Sequence, residues 1–124
     1  MKLRIKGNTL RLRLTRGEVA TLGAGGRVED ALTLGTAPDA RLTYAIESCG
    51  DAIEVAATMA AGTITVVLPL AEAARWAGSE TVGIAADVPN DAGAVHVLVE
   101  KDFACLGRDD ADADAFPNPG AARC

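Results

Sequence analysis

The chain has 124 residues, of which 49% are hydrophobic and 23% charged, with a formal charge of −5 at pH 7. That length holds one domain with a modest core and excludes two independent domains of ordinary size; the apolar content excludes a disordered chain, and the want of long apolar runs excludes a helical membrane protein. Met1 runs straight into Lys2-Leu3-Arg4-Ile5-Lys6 with no apolar signal core and no small-residue cleavage site, so the expected compartment is the cytoplasm of a bacterium-like cell.

Residues 2–6 alternate Lys-Leu-Arg-Ile-Lys, Gly7-Asn8 has turn chemistry, and Leu10, Leu12 and Leu14 alternate with Arg11 and Arg13. This predicts a hairpin with one apolar and one basic face. Thr15-Arg16-Gly17-Glu18 has the form of a capping box, Val19 and Leu22 follow at helical spacing, and the cluster Gly23 to Gly26 stops the helix, which is expected over 16–24. Strand patterns return at 27–34 (Val28, Leu32, Leu34) and 41–47 (Leu42, Tyr44, Ile46), with Gly35, Pro38 and Asp39 as turn chemistry between them. The first half reads ββαββ.

The second half repeats this order: Ile53 and Val55, then Ile64, Val66 and Leu68, then a helix over 70–78, then Val82 and Ile84, then Val95, Val97 and Val99. At an offset of 54, Leu10, Leu12, Leu14, Glu18, Ala20, Leu22 and Val28 fall on Ile64, Val66, Leu68, Glu72, Ala74, Trp76 and Val82. An offset of 53 places Leu42, Tyr44 and Ile46 on Val95, Val97 and Val99, and the opening strands are expected to align at 50, through a longer second hairpin loop from Thr58 to Gly62. The pattern is that of an internal duplication. One domain over 1–108 is expected, made of repeats 1–48 and 51–102, followed by an irregular acidic tail over 109–124 that Phe103, Leu106 and Phe116 can pin.

Charge is unevenly spread. Residues 1–16 hold six of the twelve basic residues and no acid, whereas the remaining 108 carry a net charge of −11, with Glu100, Asp102, Asp109, Asp110, Asp112 and Asp114 crowded near the end. A basic patch on an acidic body steers an anion to one face, or pairs with its own tail or a neighbour's. The three cysteines, Cys49, Cys105 and Cys124, match no zinc-binding spacing and are expected as free thiols.

The stretch Lys6-Gly7-Asn8-Thr9-Leu10-Arg11-Leu12-Arg13-Leu14, the short helix ending near Leu22, and Gly26-Arg27-Val28-Glu29 together resemble the AbrB/MazE-type swapped-hairpin domain, whose unit is also ββαββ. Leu68-Pro69 supplies that family's helix-start proline in the second half, and Thr15 stands there in the first. The resemblance implies an α+β fold in which two tandem ββαββ repeats form a pseudo-dimeric AbrB-like β-barrel with two short helices. It also implies DNA contacts from the first hairpin, through Arg4, Lys6, Asn8, Arg11 and Arg13; the comparable region of the second repeat carries Glu54, Thr58, Thr63, Thr65 and Val67. As a whole, including Val99-Glu100-Lys101-Asp102-Phe103-Ala104-Cys105 and Asp114-Ala115-Phe116-Pro117-Asn118-Pro119, the chain is similar to a family of small uncharacterised bacterial proteins.

With one histidine and no GxSxG, HExxH, P-loop or GxGxxG, the common catalytic classes find no support. Gly23-Ala24-Gly25-Gly26 follows a helix instead of opening one, so it cannot cradle a phosphate. Asp110, Asp112 and Asp114 start like a calcium loop, but Ala115 and Ala121 replace its glycine and bidentate glutamate. Leu22, Tyr44 and Trp76 read as core, and His96 as surface, out of phase with Val95, Val97 and Val99. The expectation is a non-enzymatic regulatory or interaction module, without a cofactor or membrane, whose basic hairpin binds DNA or an acidic partner, acting as a monomeric pseudo-dimer or a homodimer. The alternative is a divalent-metal or small-ligand protein, an enzyme included, using Glu100, Asp102, Cys105 and the Asp-rich C-terminal segment, with His96 or Cys49 nearby.

Overall fold

The computed structural model describes residues 1–103. Strands and helices follow as β1 (Lys2–Lys6), β2 (Thr9–Leu14), α1 (Arg16–Gly23), β3 (Arg27–Thr33), β4 (Arg41–Cys49), β5 (Ala56–Ala60), β6 (Thr63–Pro69), α2 (Leu70–Ala77), β7 (Gly83–Asn90) and β8 (Gly93–Lys101). Alternation makes the strands two-faced: Leu10, Leu12 and Leu14 of β2 and Val66 and Leu68 of β6 are buried, while Arg11, Arg13, Thr65 and Val67 between them are not fully covered. Both helices form where expected. Thr15 Oγ1 accepts from the Glu18 N–H at 3.4 Å, and Glu18 Oε1 accepts from the Thr15 N–H at 2.9 Å, closing the capping box. The second helix starts behind Pro69 without a side-chain cap, its dipole matched by Glu72 in the first turn and Arg75 in the last.

Two four-stranded sheets result, ordered β1-β2-β8-β7 and β3-β4-β6-β5. Each takes one hairpin from each half of the chain, and each joins its hairpins through a central parallel pair, β2 with β8 and β4 with β6. The inward faces of both sheets and the helix residues Val19, Leu22, Ala73 and Trp76 share one apolar cluster, in which Leu12, Leu14, Leu22, Ile46, Leu68, Val66, Val97 and Val99 are fully buried. Burying each such side chain stabilises the fold by about 1.5–3 kcal/mol before the opposing chain entropy.

The fold is α+β with two short helices, and its two similar sheets support the tandem repeat, but the expected barrel does not close. Among the described residues β1 and β7 bound one sheet and β3 and β5 the other, with no ladder joining the sheets. The edges carry groups that resist a further strand: Lys2, Arg4 and Lys6 on β1, Glu29 and Asp30 on β3, and Asp87 with the N–H-less Pro89 on β7.

Three details of the expected repeat are also corrected. The opening strand of the second half is Ala56–Ala60, and Ile53 lies outside it at 92% exposure. Its hairpin loop is two residues, Ala61-Gly62, like Gly7-Asn8: Lys6 faces Thr9 as Ala60 faces Thr63, so the offset is 54 from the first strand onward. In the third strands Val28 faces Ile46 as Ile84 faces Val99, an offset of 56, which leaves Val82 ahead of β7 with its carbonyl accepting from Trp76 Nε1 at 3.2 Å. The fourth strands keep the expected 53, since Thr43 lies beside Thr63 as His96 lies beside Thr9.

Candidate functional site

The ladder of β1 with β2 sets Lys2 opposite Arg13, Arg4 opposite Arg11 and Lys6 opposite Thr9. Because Leu10, Leu12 and Leu14 point inward, all five cations stand on the outward face of their sheet. Parallel pairing of β2 with β8 extends that face through His96, Leu98 and Glu100, and β7 completes it with Gly83, Ala85 and Asp87.

Glu100 is the electrostatic centre of the face. Its Oε1 lies 2.6 Å from Arg11 Nε and 3.8 Å from Arg13 Nε, so one carboxylate serves two guanidinium groups and the trio keeps a net positive charge. Lys2 Nζ lies 3.0 Å from Asp102 Oδ2, and His96 Nδ1 lies 2.6 Å from Asp87 Oδ1. Arg4 is exposed and has no acidic partner among the described residues. Arg4, Lys6, Gly7, Thr9, Arg11 and Leu98 line an open concavity of about 670 Å³. Among the described residues, five cations against the three carboxylates of Asp87, Glu100 and Asp102 leave the face positive on a molecule that is acidic overall.

The structure thus brings Arg4, Lys6, Arg11 and Arg13 together. Asn8 has a structural role as well, since its Nδ2 donates to the Ala94 carbonyl and its own carbonyl accepts from the His96 N–H at 3.0 Å, latching the hairpin turn to the start of β8. The residues missed from sequence are Thr9 and Leu98, which line the concavity, and Glu100 in its role as partner of the arginines. Thr9 is in phase with Arg11 and Arg13 and could have been read from alternation; the other two depend on a strand pairing that spans most of the chain.

Of the expected metal ligands, Glu100 faces Arg11, Asp102 faces Lys2, and Cys105 lies outside the described residues, as does the acidic stretch 109–114. Among the described residues no three His, Cys, Asp or Glu side chains converge to hold a metal ion. Cys49 is a free thiol on β4. Trp76 and Leu22 are buried as expected, and Tyr44 packs partly buried against the core, where desolvation, and then the charges of Asp30 and Glu18, raise its pKa. No helix among the described residues is long and apolar enough to cross a membrane.

Fold and site define a small two-sheet α+β domain that offers a basic sheet face. The model of a family of unknown function, DUF7009, matches residues 1–120, and the chain belongs to that family. No curated protein and no solved structure matches the chain.

Proposed function

We propose that this protein is a non-enzymatic binding module whose outward face on β1, β2 and β8 takes a polyanion, with duplex DNA as the partner. The observation that carries the reading is internal to the molecule. At an offset of 54, Lys2, Arg4, Lys6, Arg11 and Arg13 correspond to Ala56, Thr58, Ala60, Thr65 and Val67, so the same strand pair is built elsewhere in the chain without a single charge. The fold does not require these cations, and a requirement for binding explains them. Alternate residues of a strand repeat every 6.6–6.8 Å or so, and two such rows on a hairpin form a basic ribbon, an element that the major groove of duplex DNA admits. An AbrB-like ancestry belongs to the same proposal and is supported by each sheet drawing one hairpin from each half.

The test is fluorescence anisotropy of the full chain with a labelled random duplex of about 20 base pairs, titrated between roughly 50 and 200 mM salt. Engagement of three to five phosphates makes log K fall with log salt at a slope of about −2.7 to −4.5. Substituting Arg4→Glu together with Arg11→Glu is expected to abolish binding. If the wild-type chain binds an acidic polypeptide such as polyglutamate but not DNA, the partner is an acidic protein surface; binding of neither polyanion refutes the reading.

A further inference from the structure

The basic face lies where the described chain ends. β8 runs parallel to β2, its last residue Lys101 stands beside Leu14, and the Asp102 N–H donates to the Leu14 carbonyl at 2.8 Å. From there Asp102 turns its carboxylate to Lys2, on the basic side of the sheet, so the chain leaves the domain at one end of the cationic rows with an acid already laid on the first cation. Asp109, Asp110, Asp112 and Asp114 follow at short intervals.

We infer that the segment 109–114 of the same chain docks on the outward face of β1 and β2 and competes there with the polyanion. The inference rests on the reading of that face given above, and adds how its occupancy is controlled. Charge is complementary: among the described residues the face around Arg4, Lys6 and Arg11 carries more cations than carboxylates, and the segment offers four carboxylates in six residues. The reach is sufficient. Asp109 lies six positions beyond Phe103, a span of at most about 20 Å when extended, whereas Lys2 to Lys6 covers about 13 Å of β1. A tethered segment of this kind works at an effective concentration in the millimolar range, so weak pairing holds it in place while remaining displaceable by a longer polyanion and by salt.

The experiment compares the full-length wild-type chain with the variant Asp109→Asn, Asp110→Asn, Asp112→Asn, Asp114→Asn, whose changes leave every described strand and helix untouched. Two readouts are recorded at low salt: backbone amide NMR shifts of residues 2–6 and 9–14 without DNA, and affinity for the labelled duplex. Docking predicts that those amides differ between the two proteins, that the difference vanishes at high salt, and that the variant binds the duplex at least about 10-fold more tightly. Identical amide spectra and equal affinities overturn it, whatever the wild-type affinity is. Amide differences with no DNA binding by either protein leave the docking standing and sink the DNA reading instead, so the two ideas fail separately. Differences that grow with protein concentration assign the occupant to the tail of a second copy and overturn docking within one chain.

Discussion

The two counterpart hairpins, β1-β2 and β5-β6, share loop length and register, yet one presents Lys2, Arg4, Lys6, Arg11 and Arg13 on its outward face and the other Ala56, Thr58, Ala60, Thr65 and Val67. Both bury their alternate residues in one core, Leu10, Leu12 and Leu14 from one and Val66 and Leu68 from the other. The difference separates what the backbone needs from what its surface does. Inward positions stay apolar in both copies because burial stabilises the fold, and outward positions diverge because the fold is indifferent to them.

The strongest way to break this comparison is to make the hairpins alike. Replacing Lys2→Ala, Arg4→Thr and Lys6→Ala gives β1 the outward residues of β5 and leaves Arg11 and Arg13 with Glu100. On the proposed DNA reading this removes three phosphate contacts, so the salt slope of binding should flatten by about 2.7 and affinity at low salt should fall by about 100-fold or more. The thermal midpoint should stay within a few degrees, since exposed charges contribute little to stability. A large loss of stability would show instead that the cations hold the fold.

A second test concerns the helices. Gly23 and Ala77 are counterparts that meet where α1 and α2 pack, and a Cβ on Gly23 would lie 2.7 Å from the Ala77 Cβ. The closeness of the helices thus depends on one copy having glycine. Gly23→Ala should cost about 1–3 kcal/mol in urea unfolding, through overpacking. Adding Ala77→Gly should recover most of that loss, because it swaps the pair without changing the sum of their volumes. Failure of the second change to rescue the first would mean that the contact is not what limits the approach.

The helix starts differ too, and here pH sharpens the contrast. Burial works to raise the Glu18 pKa, but the hydrogen bonds from the Thr15 N–H and the Met1 ammonium, 2.9 Å away, together with the ammonium's charge and the Thr15 side chain, lower it overall. A carboxyl held lower in the folded state stabilises the fold fully above its unfolded value, near 4.5, and loses that contribution as pH falls through the lowered folded value. Glu18→Gln should therefore flatten the acid side of the stability profile, read as the urea midpoint against pH. Thr15→Ala should cost about 1 kcal/mol at neutral pH. Pro69, which opens α2, has no side-chain oxygen to lose.

Much of this was legible from sequence where the signal is local. The basic hairpin, the Thr15–Glu18 cap, both helices and the buried Leu12, Leu22 and Trp76 follow from periodicity and capping chemistry within a few residues. The position of β5 is not legible because Ala56-Ala57-Thr58-Met59-Ala60 has almost no apolar contrast, whereas Ile53 and Val55 beside it draw the strand pattern to themselves. The open sheets could not be read, since closure depends on whether edges far apart in the chain find partners. For the same reason Arg11 and Glu100, 89 residues apart, appeared as parts of different sites, and only the parallel pairing of β2 with β8 makes them one.

The smallest contrast lies in the turns. Gly7 sits at φ +54° and its counterpart Ala61 at φ +51°, both at positive φ, where only one of the two residues is at ease. A β-carbon in that region crowds the following carbonyl at a cost of about 1–2 kcal/mol, and glycine escapes it. Gly7→Ala should therefore destabilise the first hairpin by about 1 kcal/mol, less what the stiffer unfolded chain returns. Ala61→Asn should act in the opposite direction, because asparagine tolerates the left-handed region and Asn-Gly is the favoured pair for a two-residue hairpin turn. A gain of about 0.5–1 kcal/mol is expected, small enough to need paired urea midpoints at fixed salt. If Ala61→Asn gains nothing while Gly7→Ala loses stability, the second turn relaxes its alanine in solution, and the two hairpins are less alike at their tips than their ladders are.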